Sequence, residues 1–205
     1  AFSAGVDLKE VSGAVPASAP ARGAGQGPER YPNGLYRFIP DIDKPVIGAI
    51  NGIAVTGGLE VALQCTILVA SENARFGDTH ARVGIMPGGG LTVLLAQAVG
   101  WRAAVEMSLS GRFVAADEAL RLGLVNHVVP HAELMPYAQG LAREIARNDQ
   151  RAVRRLLQHY KAMAKVATLE EAHLLEGVMA ETWYAGLEQP GSNLEDVAAR
   201  GRDQL

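Results

Sequence analysis

The stretch NGIAVTGGLEVALQC, residues 51–65, carries residue types suited to acid–base chemistry. Gly57 and Gly58 stand together, and Glu60 follows as the one acid among apolar neighbours. Backbone N–H groups at a helix start have no intrahelical partner, and glycine lets a ligand approach them closely. The pair therefore reads as an anion or oxyanion site. A carboxylate one helical turn inside reaches the same space and has the chemistry of a general base. The alternative is an ordinary capping or ion-paired glutamate on a surface helix. A second glycine-bearing turn, in AFSAGVDLKE at residues 1–10, offers a further backbone donor. His80, in FGDTHARVG, is expected on a turn after a strand, two residues beyond Asp78. A single histidine in such a place is more often structural or exposed than catalytic.

Other chemistries find less support. His127 and His131 are four apart, but Pro130 lies between them and they straddle a strand end, so no metal site is expected. There is no G-x-S-x-G elbow. MPGGG at 86–90 lacks the lysine and hydroxyl that complete a phosphate loop.

These residues need elements to hold them. KPVIGAI reads as a buried strand over 45–50, a helix follows from about Gly57 to Cys65, and a strand over 66–70 comes next. A helix between two buried strands is a crossover unit, which would put its first turn at the carboxyl end of the first strand, where α/β proteins bind ligands. ARFGD looks like a short strand end. THARVGIMPGGG is turn-rich and leads into helices over LTVLLAQAVG and WRAAVEMSLSG. AADEALRLG is a short helix with acids in its first turn and a closing glycine, and LVNHVVP is a strand. From His131 on, three apolar stripes have helical spacing. Residues 11–34, rich in Ala, Gly and Pro, are expected to be a long mobile loop. The expected domains are a core over 1–130 and a helical region over 131–205.

The bulk properties narrow the class. A 205-residue chain can build one good core. It is 48% hydrophobic but only 5% aromatic, so that core is aliphatic. A net charge of −3 and no dense basic run argue against a nucleic-acid partner. Polar residues and glycines interrupt residues 45–71, which argues against a membrane span. The one cysteine, Cys65, precludes an internal disulfide, and a reducing, cytoplasmic setting is expected.

Taken together, AFSAGVDLKE, KPVIGAINGIAVTGGLEVALQC, ARFGDTHARVGIMPGGG and SGRFVAADEALRLGLVNHVVP resemble the crotonase superfamily, the enoyl-CoA hydratase/isomerase family. The resemblance implies an α/β fold with a ββα spiral core and C-terminal helices that build homotrimers or hexamers. It implies an acyl-CoA substrate and no cofactor beyond that CoA. The amides of Val6 and Gly57 fall where the family holds the thioester oxygen, with Val6 in place of the usual alanine. Ala4, Asp7, Lys9, Gly58, Pro87 and Gly88 fall at substrate-binding positions. Glu60 matches the first of the hydratases' two glutamates, and His80 stands where the second would be. The family also has strands and a helix ahead of AFSAG, so the chain is expected to be truncated relative to it.

The resulting expectation is enoyl-CoA hydration by Glu60 with His80 assisting. The rivals are another reaction of the same fold, isomerisation or thioester hydrolysis, and a non-catalytic CoA-binding subunit.

Overall fold

The computed structural model describes residues 1–5, 29–30, 36–164, 166 and 168–186. Val6, Asp7 and Lys9 lie outside these residues, as does the expected loop over 11–34 apart from Glu29–Arg30. That dipeptide forms β1, which pairs antiparallel with β2 (Tyr36–Arg37).

The apolar run ILVAS becomes β5 (Ile67–Ser71), the central strand of a parallel sheet between β3 (Ile47–Ile50) and β8 (His127–Val129). Successive residues of this strand are buried, so both of its faces are covered, which explains why its sequence does not alternate. Leu68, Val69, Ala70 and Ser71 are all buried.

A second sheet holds β4 (Ile53–Val55), β6 (Arg75–Gly77) and β7 (Phe113–Ala115). β4 and β6 run parallel, and β7 closes the sheet antiparallel to β6. Ser3 bridges to Ala54 on the other side of β4. β4 and β7 were not expected from the sequence. Each is three residues long, too short to establish a period. Their presence corrects the simple crossover reading. The helix α1 (Gly57–Leu63) does not follow β3 directly; Asn51 and Gly52 turn the chain into β4, and α1 starts at the carboxyl end of β4. The repeating unit is thus strand, strand, helix, with the two strands in different sheets, as the ββα expectation holds.

The next helices are α2 (His80–Val83), α3 (Leu91–Val99), α4 (Trp101–Ser110), α5 (Ala116–Leu122) and α6 (Leu134–Ala146). The main core gathers Ile50, Leu59, Phe76, Leu91, Leu95, Met107 and Val114, all fully buried, from both sheets and from α1, α3 and α4. A smaller cluster joins Val69 and Val129 to Leu134, with Leu141 against it. This packing places α6 with the strands. The unit containing both sheets accordingly runs Ala1–Val153, past the boundary expected at 130.

The second unit, Arg154–Leu205, takes most of α7 (Gln150–Met163) and all of α8 (Leu169–Ala185). α8 begins with a reciprocal capping box. Thr168 Oγ1 accepts the Glu171 N–H at 3.2 Å, and Glu171 Oε2 accepts the Thr168 N–H at 3.1 Å. Among the described residues, no helix is long and apolar enough to cross a membrane.

Cys65 is half-buried at the end of α1, and burial pushes its thiol up to about 11 from 9.0. Between those two values the unfolded chain loses the thiol proton and the folded chain keeps it, so this group favours unfolding as pH rises through that window. At pH 8 the native thiol is expected to react with iodoacetamide at least tenfold more slowly than in urea-unfolded protein, because the thiolate is the nucleophile. Equal rates, followed by mass, would contradict that.

Candidate active site

The site begins at Thr56, the residue before α1. Its φ of 53° lies in the left-handed region, which a β-branched residue rarely adopts. Bonds on both sides hold it there. Its N–H donates to the Gly77 carbonyl at 2.9 Å, and its hydroxyl lies 2.6 Å from that of Thr79. The turn delivers Gly57 as the first residue of α1, with its N–H among those that have no intrahelical partner. Gly5 lies beside it, so near that a Cβ there would sit 3.2 Å from the Gly57 nitrogen.

Gly58 has a different task from its neighbour. It is buried, and a Cβ added to it would overlap the Ser3 carbonyl oxygen and stand 2.7 Å from the carbonyl carbon. Its small size lets α1 rest directly on the 1–5 segment. That segment is tied to β4 by the N–H groups of Phe2 and Ser3, which both donate to the Ile53 carbonyl, and by the Val55 N–H, which donates to the Ser3 carbonyl.

Glu60 is 4% exposed, a depth at which carboxylates require partners. Oε1 accepts the Gly89 N–H at 2.6 Å. The N-cap residue Thr56 makes no side-chain cap bond, and among the described residues no lysine or arginine pairs with Glu60. Neither the capping nor the ion-pair alternative describes it. A Cβ on Gly89 would overlap Phe38 and stand 2.9 Å from Glu60 Cδ. Only glycine lets that peptide reach the carboxylate.

Gln64, one turn further along, holds the same residue, Gly89, by its carbonyl. Its Nε2 donates to the Gly89 carbonyl at 2.9 Å and to the Tyr36 carbonyl at 3.0 Å. Its Oε1 accepts the Phe38 N–H at 2.9 Å and the Ile39 N–H at 3.3 Å. One amide thus joins α1, the glycine loop and the 36–39 segment.

His80 is the first residue of α2 rather than part of an open turn, and it is 5% exposed. Its Nδ1 lies 2.6 Å from Oδ1 of Asp78, itself 2% exposed.

These elements enclose a cavity of about 530 Å³, within the range of small-molecule sites. Gly57, Glu60, His80, Ala4 and Gly88 line it. So do Ser3, Gly5, Thr56 and Thr79, and the apolar wall of Tyr36, Phe38, Val61, Val83, Ile85 and Met86. Pro87 and Gly58 are not among the lining residues. Sequence reasoning passed over Gln64, Gly89, Thr56 and the aromatic wall. Their partners lie more than twenty residues away, and the one available signal was the second glycine of MPGGG.

A helix start opening on a cavity beside a buried carboxylate, on strand–strand–helix units, is the arrangement of a crotonase-fold protein. Residues 1–188 match the family model described as enoyl-CoA hydratase/isomerase, and the chain belongs to that family. It is 44% identical over 160 residues to the Arabidopsis thaliana protein named probable enoyl-CoA hydratase 1, peroxisomal, covering 77% of this chain and 60% of the relative. It is 44% identical over 122 residues to the short-chain-enoyl-CoA hydratase of Clostridium acetobutylicum, covering 60% of this chain and 47% of the relative. Among solved structures, an enoyl-CoA hydratase from Mycobacterium avium matches with a TM-score of 0.61 and 50% identity, covering 72% of this chain and 66% of that one. The chain therefore spans about half to three fifths of the length of these two curated relatives.

Proposed function

We propose that this protein is an enzyme acting on acyl-CoA thioesters, and that its reaction is the hydration of a 2-enoyl-CoA. The observation carrying this reading is that Glu60 and His80 line the same cavity as the helix start at Gly57. Hydration needs a place for the thioester oxygen as it gains charge, and backbone N–H groups supply one without reorganising. The Gly57 amide is one proposed donor and the Val6 amide the other. Ala4 and Gly88 line the cavity the acyl-CoA would enter, and Asp7, Lys9, Gly58 and Pro87 remain substrate-binding candidates by resemblance. With Oε1 engaged by Gly89, the second oxygen of Glu60 is left to hold a water. Hydration involves no net redox change, and the CoA belongs to the substrate, so no separate cofactor is proposed.

The assembly proposed is a homotrimer or a dimer of trimers. Within the first unit Trp101 and Leu109 are 70% and 75% exposed, and burying such side chains would favour association. A monomer mass by light scattering would contradict it. A reducing, cytoplasmic setting is proposed from the single cysteine, although the Arabidopsis relative is named peroxisomal.

The test is product mass after incubation with short and long 2-enoyl-CoA substrates. Hydration adds one water to the intact thioester. A second reading, thioester hydrolysis, is favoured by the imidazole at position 80, since a water activated there could attack the carbonyl carbon. It would release free CoA instead. An isomer of unchanged mass would point to double-bond migration. Acyl-CoA binding with no product would favour the non-catalytic subunit.

A further inference from the structure

We propose that Asp78 is a positioning residue that makes His80 the proton carrier of the site. This rests on the reading of His80 as a reacting group. Asp78 directly follows β6, and its side chain is buried. One oxygen, Oδ1, meets two groups of the same residue, the His80 N–H at 3.1 Å and the His80 ring Nδ1 at 2.6 Å. A carboxylate only accepts hydrogen bonds, so Nδ1 must carry the proton. The lone pair is then on Nε2. Nε2 makes no hydrogen bond among the described residues, and His80 lines the cavity. The backbone bond fixes the Asp78 carboxylate against α2, and the ring bond then fixes the imidazole plane. Asp78 thus sets tautomer and orientation together, which is the service a buried aspartate gives a catalytic histidine elsewhere.

The proton balance follows. A water held by the second oxygen of Glu60 gives one proton to His80 Nε2 as its oxygen bonds to C3. The π pair of the C2–C3 double bond moves toward the thioester, whose oxygen takes the charge at the Gly57 amide. The imidazolium, opposite Asp78, then returns the proton to C2. Water's other hydrogen stays on the new hydroxyl group. Nothing is oxidised or reduced, and both side chains end as they began. The imidazole thereby does with one group what two carboxylates would share, and Glu60 need only orient the water and accept its hydrogen bond.

Two measurements test this. In the full chain with 15N-labelled histidines, the His80 ring is identified by its disappearance in His80→Gln, one signal pair among five histidines. The expected pattern is a protonated Nδ1 and an unprotonated Nε2. An Nε2-protonated neutral ring would overturn the proposal. The second measurement is a double-mutant cycle on turnover. Asp78→Asn is close in size but lets an amide N–H donate to Nδ1. It is expected to lower kcat about a hundredfold or more while KM changes only a few-fold. In the His80→Gln background the same substitution should change kcat less than twofold, because Asp78 would act only through the ring. An equal fall in both backgrounds would make Asp78 a general structural residue and overturn the proposal. If the native chain shows no turnover, the reading of its reaction fails, and the ring spectrum still decides the role of Asp78.

Discussion

Glu60→Gln is expected to lower kcat/KM for a 2-enoyl-CoA by about a hundredfold, the order lost when a reacting molecule, here the attacking water, is no longer held in place. The structure makes this a clean substitution. Glutamine has the same length, and its side-chain carbonyl can still accept the Gly89 N–H that Glu60 Oε1 now takes at 2.6 Å. The Gln64 bond to the Gly89 carbonyl is untouched. What is lost is the charge and the ability to hold water by a carboxylate. The change from an ionised to a neutral acceptor weakens one hydrogen bond, so a stability loss of about 1 kcal/mol is expected. Steady-state kinetics and thermal unfolding on the same sample separate the two effects. Full turnover by the variant would remove Glu60 from the mechanism. A large fall in Tm would mean that the activity loss reports unfolding instead.

Gly58→Ala is expected to damage both stability and turnover, although it adds only a methyl group. The new Cβ would overlap the Ser3 carbonyl oxygen, a backbone atom that cannot turn aside as a side-chain tip can. Either α1 lifts or the 1–5 segment leaves the edge of β4, with its three backbone hydrogen bonds at 2.9–3.1 Å. Overpacking of this kind costs about 1–3 kcal/mol, or a Tm fall of roughly 2–12 °C at this size. Either movement also displaces Gly57 relative to Gly5, the geometry around the proposed oxyanion donor. Removing one such donor costs about 3 kcal/mol of barrier. Gly177→Ala supplies the control. Gly177 lies inside α8 with nothing within 4 Å of an added Cβ. There the substitution should stabilise by about 0.5–1 kcal/mol, through helix propensity. A harmless Gly58→Ala would show that the close approach to Ser3 is not required.

The two glycines illustrate where the sequence informs and where it stops. GG before a helix was legible as a helix start that could face a ligand. Gly57 does line the cavity, whereas Gly58 is small because a carbonyl from residue 3 lies against it. Residue type and spacing alone treat the two as equivalent, and the tertiary contact separates them. Glu60 was legible as an acid in the wrong company. Its partner, the Gly89 N–H, lies 29 residues away, and no local pattern names it. His80 and Asp78 were visible as neighbours two apart, yet a turn after a strand predicts neither their burial nor the 2.6 Å contact.

By itself the sequence determined the aliphatic core strand, expected over 66–70 and found at Ile67–Ser71, the helical stripes and the ordered motifs that mark the family. These signals are local, because periodic burial and turn chemistry are written into neighbouring residues. Only the tertiary structure decided that β4 and β7 join a separate sheet, that α6 belongs with the strands, and that Gln64 ties the glycine loop to the 36–39 segment. Those outcomes depend on which distant backbone groups meet once the core has closed. A three-residue strand or a lone glutamine carries too little local preference to announce its partner.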